Sequence, residues 1–192
     1  MTGFSHETDR LMLRDWREDD WPEFFRHTNT PAVMEWLGGV LPPDRYRWMR
    51  ERLEGYARDH GFTFWAIERK ADGGHLSGEL LGFCGLKRSN QKGGPQGEHE
   101  IGWRLREDAW RKGYAKEAAR ASLKLGFEVF DAPHILALTV NGNTGSWRLM
   151  ERLGMQRRED LDFASTEFGS EEIIVYSITR QQWETSQCTA QV

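Results

Sequence analysis

The stretch from residue 115 to 130 constrains this chain most. Ala115, Ala119, Leu123, Phe127 and Phe130 recur every three or four positions, so they share one apolar stripe of a helix. Ala118 and Gly126 keep that side thin, which lets it lie close on a sheet. Just ahead stands Trp110-Arg111-Lys112-Gly113-Tyr114-Ala115, where Gly113 and Ala115 permit a tight turn. The first N–H groups of a helix have no partner within it and sit at the positive end of its dipole. Such a turn is therefore an anion site, and Arg111 and Lys112 add mobile cations. The segment reads as strand, phosphate-binding turn, helix. On these residues alone, a surface loop entering an amphipathic helix explains the pattern equally well.

The flanks narrow the choice. Upstream, Glu98-His99-Glu100-Ile101-Gly102-Trp103-Arg104-Leu105 alternates as a strand does. Downstream, a short strand at 135–140 leads into Asn141-Gly142-Asn143-Thr144-Gly145-Ser146 and a helix that Asn143 or Thr144 would cap and Gly154 would end. Before this centre, residues 9–16 open a sheet, a helix is expected over 20–27, and Asp44 is positioned to cap a second helix running to about Arg58. Residues 62–68 and 80–86 form an antiparallel hairpin around Asp72-Gly73-Gly74. The connector 88–97 is rich in glycine and is expected to be flexible. Residues 161–164 and 173–178 supply the last two strands. The order predicts an α/β (α+β) fold with a mixed central sheet of about seven strands and helices on both faces.

At 192 residues the chain suits one domain over 1–192, with a polar tail at 184–192 expected to fray. A net charge of -4 argues against generic nucleic-acid affinity, and no unbroken apolar run could span a bilayer. We expect a cytoplasmic protein with no membrane or nucleic-acid partner, monomeric or homodimeric. Two cysteines, Cys84 in an apolar run and Cys188 in a polar tail, offer neither a disulfide framework nor metal spacing. His99 alternates away from Glu98 and Glu100, so no metal site is expected.

The ordered trio Glu-Ile-Gly-Trp at 100–103, Trp-Arg-Lys-Gly-Tyr-Ala at 110–115 and Asn-x-x-Ser at 143–146 ahead of Glu-Arg-Leu-Gly-Met resembles the GNAT N-acetyltransferases. It looks most like the RimJ/RimL-type branch, over about residues 10–183. The resemblance implies a GNAT-like fold, acetyl-CoA as co-substrate without a metal, and direct acetyl transfer to a primary amine. That acceptor is a protein N-terminus or a small molecule. The pyrophosphate would lie on Arg111, Lys112, Gly113, Tyr114 and Ala115. The pantetheine arm would pair with the strand at Trp103, Arg104 and Leu105, whose backbone N–H groups polarise the thioester carbonyl. Asn143 and Ser146 would contact the co-substrate, although Asn143 reads equally as a plain helix cap. The wall formed by the two helices after the first strand makes Trp36 a candidate acceptor-binding residue, with burial in the core the other reading.

Amide formation also needs a base, and Glu98 and Glu100 lie two apart on one strand face. Two like charges held close raise the pKa of one carboxyl. Glu100 is the stronger candidate, since the resembling family often uses the acidic residue of Glu-Ile-Gly in that role. The alternatives are solvated strand residues or an electrostatic site for a cationic substrate. Many relatives place a proton-donating tyrosine where this chain has Met150, so Ser146, water or another residue reaching in would have to serve the leaving thiolate. Cys84, lacking a histidine partner, gives no reason to invoke an acyl-enzyme. The competing reading is a non-catalytic acyl-CoA-binding or interaction module of the same fold.

Overall fold

The computed structural model describes residues 3–165 and 172–189. Its strands are β1 (Ser5–Glu7), β2 (Leu11–Arg14), β3 (Phe64–Arg69), β4 (Leu80–Arg88), β5 (His99–Leu105), β6 (His134–Thr139), β7 (Gln156–Arg157), β8 (Phe163–Ala164) and β9 (Glu172–Thr179). The helices are α1 (Asp20–Thr28), α2 (Pro31–Met34), α3 (Tyr46–His60), α4 (Tyr114–Glu128), α5 (Thr144–Arg152) and α6 (Arg180–Thr189). The sheet runs β1-β2-β3-β4-β5-β6-β9-β7, with β8 also pairing β9. Its one parallel contact among the described residues, β5 with β6, is very short: only Glu100↔Leu136 and Ile101↔Ala137 pair. Beyond Ile101 the two strands part. β5 stays with β4 as far as Leu105, while β6 stays with β9 as far as Thr139.

Small residues set the layer spacing. A Cβ on Gly126 would stand 2.6 Å from Ile135 and 3.1 Å from Leu86, so only glycine lets α4 sit this close to the sheet. The main core lies beneath α4 and also takes in Leu149 and Met150 of α5, Leu153 just after it, and Trp183 of α6. On the opposite face, α1 and α3 close over Trp21, Phe24, Phe25, Leu53, Tyr56, Phe64 and Phe83. The pleat of β5 therefore sends Ile101 and Leu105 toward α4, and Gly102 and Arg104 toward α1 and α2.

Several expectations are corrected. Asp44 caps nothing: it lies in a 3-10 turn at Pro43–Arg45, and α3 begins after Arg45 with no side-chain cap. Leu161 closes a second such turn, so β8 is shorter than the strand expected at 161–164. Of the polar tail expected to fray at 184–192, the part up to Thr189 lies in α6, where Trp183 stacks on Phe127 at 5.8 Å, and 190–192 lie outside the described residues. The connector at 88–97 is tied by its own backbone, with Ser89 N–H donating to Glu98 and Gly97 N–H to Ser89, both at 2.8 Å. Three of the strands, β1, β7 and β8, have only two or three residues each and carry little sequence pattern.

Candidate active site

The opening between β5 and β6 has a defined polarity. Arg106 N–H donates to Leu81 across the β4 edge, so by alternation the N–H groups of Trp103 and Leu105 point away from β4, into the opening. The Leu105 carbonyl faces the same way and accepts the Trp110 indole N–H at 2.9 Å. An extended ligand can pair there as a strand would.

The opening leads to the turn before α4. Arg111 and Gly113 both adopt left-handed backbone, at φ of 59° and 82°. Gly113 is the N-cap of α4 and offers no side-chain cap, so the first N–H groups of the helix remain uncapped. The turn is held from below. Arg10 donates from Nη1 to the Lys112 carbonyl at 3.0 Å and from Nε to Glu117 at 2.7 Å, while Thr8 donates to Glu117 at 2.6 Å. Burial works against the Glu117 charge, but the bonds from Thr8 and Arg10 outweigh it and hold the carboxyl below its ordinary range. Arg111 and Lys112 are exposed and free to reach a bound anion.

Not every expected ligand side chain faces this turn. Tyr114 is buried beneath it, donating to the His75 carbonyl at 3.1 Å and accepting from Arg69 at 3.3 Å, so it offers a ligand only its backbone. Arg104 likewise turns its side chain to the opposite face of the sheet. Asn143 caps α5, its Oδ1 accepting from Ser146 N–H at 3.3 Å. The Ser146 hydroxyl is half-buried and makes no hydrogen bond within the described protein. Met150, at the usual tyrosine position, is 1% exposed in the main core.

The two glutamates do not form a carboxylate pair. Glu98 precedes β5 and meets His134 at 3.0 Å, with 42% of its side chain exposed. Glu100 is buried and meets Lys87, its cross-strand neighbour, at 2.8 Å. Lys87 is also buried and donates to Asn90 at 3.0 Å and Gln91 at 3.3 Å. Each carboxylate thus has its own partner, an imidazole for Glu98 and an ammonium for Glu100. His99, between them, is buried facing Phe62, and burial with the nearby Arg88 lowers its pKa to about 4.

Sequence reasoning overlooked Lys87, whose signal is its position opposite Glu100 in the β4–β5 hairpin. Trp36 is 37% exposed and lies flat over the loop between β6 and α5: a Cβ on Gly142 would stand 2.5 Å from its ring. It therefore bridges the α1–α2 side of the sheet to the segment bearing Asn143 and Ser146. Cys84 is fully buried, its thiol pushed up to about 12 by burial and met by the Ser122 hydroxyl at 3.5 Å and the Gly85 backbone, which suits packing rather than nucleophilic chemistry. Among the described residues, no group of histidine, cysteine, aspartate or glutamate is placed to hold a metal, and no helix is long and apolar enough to cross a membrane.

A mixed sheet that parts between two parallel strands, facing an uncapped glycine turn, leaves room for an extended ligand with an anionic end. The acetyltransferase (GNAT) domain family matches residues 10–156, and the chain belongs to that family. It is 33% identical over 153 residues to the uncharacterized protein YkkB of Bacillus subtilis, covering 77% of this chain and 83% of YkkB. It is 29% identical over 181 residues to the uncharacterized N-acetyltransferase YnaD of the same organism, covering 92% and 97%. In structure it resembles the acetyltransferase from Agrobacterium tumefaciens, with a TM-score of 0.78, 23% identity, and 94% and 96% of the two chains covered. The protein is an acetyltransferase, and acetyl-CoA is the donor that GNAT acetyltransferases use for N-acetylation.

Proposed function

We propose that this chain acetylates the primary amine of a small molecule or a peptide N-terminus, by direct transfer, in the opening between β5 and β6. The observation that carries the reading is that opening itself, with the Trp103 and Leu105 N–H groups directed into it and the uncapped α4 turn at its end. Acetyl-CoA supplies an acetyl thioester and a pyrophosphate when bound. The N–H groups of the α4 turn, with Arg111 and Lys112, receive the pyrophosphate. The Trp103 and Leu105 N–H groups steady the oxygen that gains charge as the amine nitrogen attacks the carbonyl carbon. The new C–N bond forms, the C–S bond breaks, and the amine's proton ends on the departing sulfur.

Glu100 is proposed to take the acceptor's proton from the α1–α2 side, held in place by Lys87. Ser146, with its uncommitted hydroxyl, is proposed to serve the thiolate. Trp36 shapes the acceptor's entry. The motif order that resembles the RimJ/RimL-type branch supports the same reading of the transfer, and the enzyme is further proposed to be cytoplasmic and to act as a monomer or homodimer.

Calorimetry with acetyl-CoA tests the donor half. The wild type is expected to bind, and a Gly113→Glu variant that stays folded is expected to lose binding, since it sets a carboxylate in the turn and strains a left-handed position. Equal binding by both would place the pyrophosphate elsewhere. Thiol release with a panel of amines tests the transfer.

A further inference from the structure

Four arginines are buried in the described protein: Arg14, Arg69, Arg104 and Arg106. Three are matched by carboxylates. Arg14 holds Asp20 and Glu68, Arg69 holds Asp72, and Arg106 holds Glu79 and Asp108. Arg104 is the exception. It is 5% exposed, forms no ion pair within the described residues, and its Nε and Nη2 have no hydrogen-bond partner. Its Nη1 meets only the Met34 sulfur, at 2.9 Å, and its guanidinium lies over the rings of Phe24 and Phe83 at 4.6 and 5.3 Å. Burial alone lowers its pKa, to about 9, whereas the three paired arginines are all raised. The group remains a cation near neutrality. A buried charge without a partner is costly, and a folded protein that keeps one commonly reserves it for a ligand.

The two vacant nitrogens indicate the ligand's shape. Nε and Nη2 share one edge of the guanidinium, and through the same two nitrogens Arg106 grips both oxygens of Asp108, at 2.6 and 2.8 Å. Arg158 grips Asp160 in the same way, at 2.8 and 2.7 Å. That edge is a fork for a planar carboxylate. It stands on the part of β5 that has left β6, on the face toward α1 and α2, four residues beyond Glu100. The third nitrogen, Nη1, is the one met by Met34, a flexible side chain at the end of α2, two residues before Trp36.

We propose that Arg104 is the anchor for a carboxylate on the acceptor, so that the enzyme acetylates a small amino carboxylate. The proposal rests on the acetyl-transfer reading above and names its substrate class. Charge-assisted pairing of this kind separates an acid from its amide by on the order of 10- to 100-fold.

The test is thiol release from acetyl-CoA with each common L-amino acid, its carboxamide and the matching decarboxylated amine, for the wild type, Arg104→Met and Arg104→Lys. The wild type is expected to favour the best acid over its amide by that margin in kcat/KM. Arg104→Met should erase the preference while melting at a higher temperature, and Arg104→Lys should restore only part of it, having charge but no fork. Calorimetry of the CoA-bound wild type with N-acetyl amino acids, against their N-acetyl carboxamides, reads the same discrimination without turnover. Equal kcat/KM for acid and amide, equal binding of the two N-acetyl forms, or a preference that survives in Arg104→Met would each overturn the proposal. Release with no amine at all, while the N-acetyl acids still bind selectively, would count against acetyl transfer and leave the carboxylate fork standing.

Discussion

The two sides of β5 are built by different means. The proposed donor side is largely backbone: N–H groups of Trp103 and Leu105 at a strand split, and a left-handed turn at Arg111 and Gly113 before an uncapped helix. The proposed acceptor side is built of side chains: the buried Lys87–Glu100 pair, the buried lone Arg104 guanidinium, and the part-exposed Trp36 lying on Gly142. A backbone site binds what every member of a family shares, because it depends on geometry more than residue type. A side-chain site can change with each substitution, and it is where one chain acquires its own substrate. Variants on one side should therefore leave the other side's binding intact.

The hardest challenge to that division is Glu100→Gln. It leaves the Lys87 ammonium buried without its counter-charge, at a cost of about 3–5 kcal/mol in stability, read by urea denaturation. If Glu100 also takes the acceptor's proton, kcat falls by about 100-fold, with acetyl-CoA affinity little changed in the folded protein. Adding Lys87→Met removes the stranded charge. The double variant is expected to recover most of the stability and none of the turnover. Turnover that returns together with stability would reduce the pair to a structural role and strip Glu100 from the mechanism.

Gly142→Ala sharpens the comparison at the one place where the two sides touch. The added methyl would stand 2.5 Å from the Trp36 ring, and because Trp36 is part-exposed, the ring can swing out rather than strain the core. We expect little change in melting temperature or acetyl-CoA affinity, and an acceptor KM raised about fivefold, as a contact worth about 1 kcal/mol would give. A weakened acetyl-CoA affinity with an unchanged acceptor KM would move Trp36 to the donor side.

The same division explains what could be read before the structure. The donor side was legible because its chemistry leaves local marks: a glycine at the left-handed cap, small residues at 118 and 126 on the sheet-facing stripe, and an alternating strand just upstream. The acceptor side was not, because its partners lie far apart in the chain. Lys87 meets Glu100 through the β4–β5 register, and Arg104 meets Met34 across 70 residues. The adjacency of Glu98 and Glu100 suggested a carboxylate pair, but β5 begins only at His99 and tertiary partners claimed each glutamate separately. Asp44 had the composition of a helix cap, but the chain makes a 3-10 turn there and enters α3 two residues later.

Ser146→Ala is the mildest break, and it falls on the donor side. The hydroxyl has no protein partner within the described residues, so its removal strands no other group and stability should hold to within about 0.5 kcal/mol. The backbone N–H of residue 146 still donates to Asn143, which preserves the start of α5. On the proposed reading, the variant removes one hydrogen bond to the departing sulfur. That predicts a loss of about fivefold or less in kcat, the worth of a single neutral hydrogen bond, with the acceptor KM unmoved. Rates measured with a donor whose thiol leaves more readily than that of CoA should narrow the gap between wild type and variant. A gap that stays the same for both donors would mean that Ser146 positions the co-substrate rather than assisting its departure. Since Met150 is sealed in the core, water or another residue reaching in is then left to supply the proton.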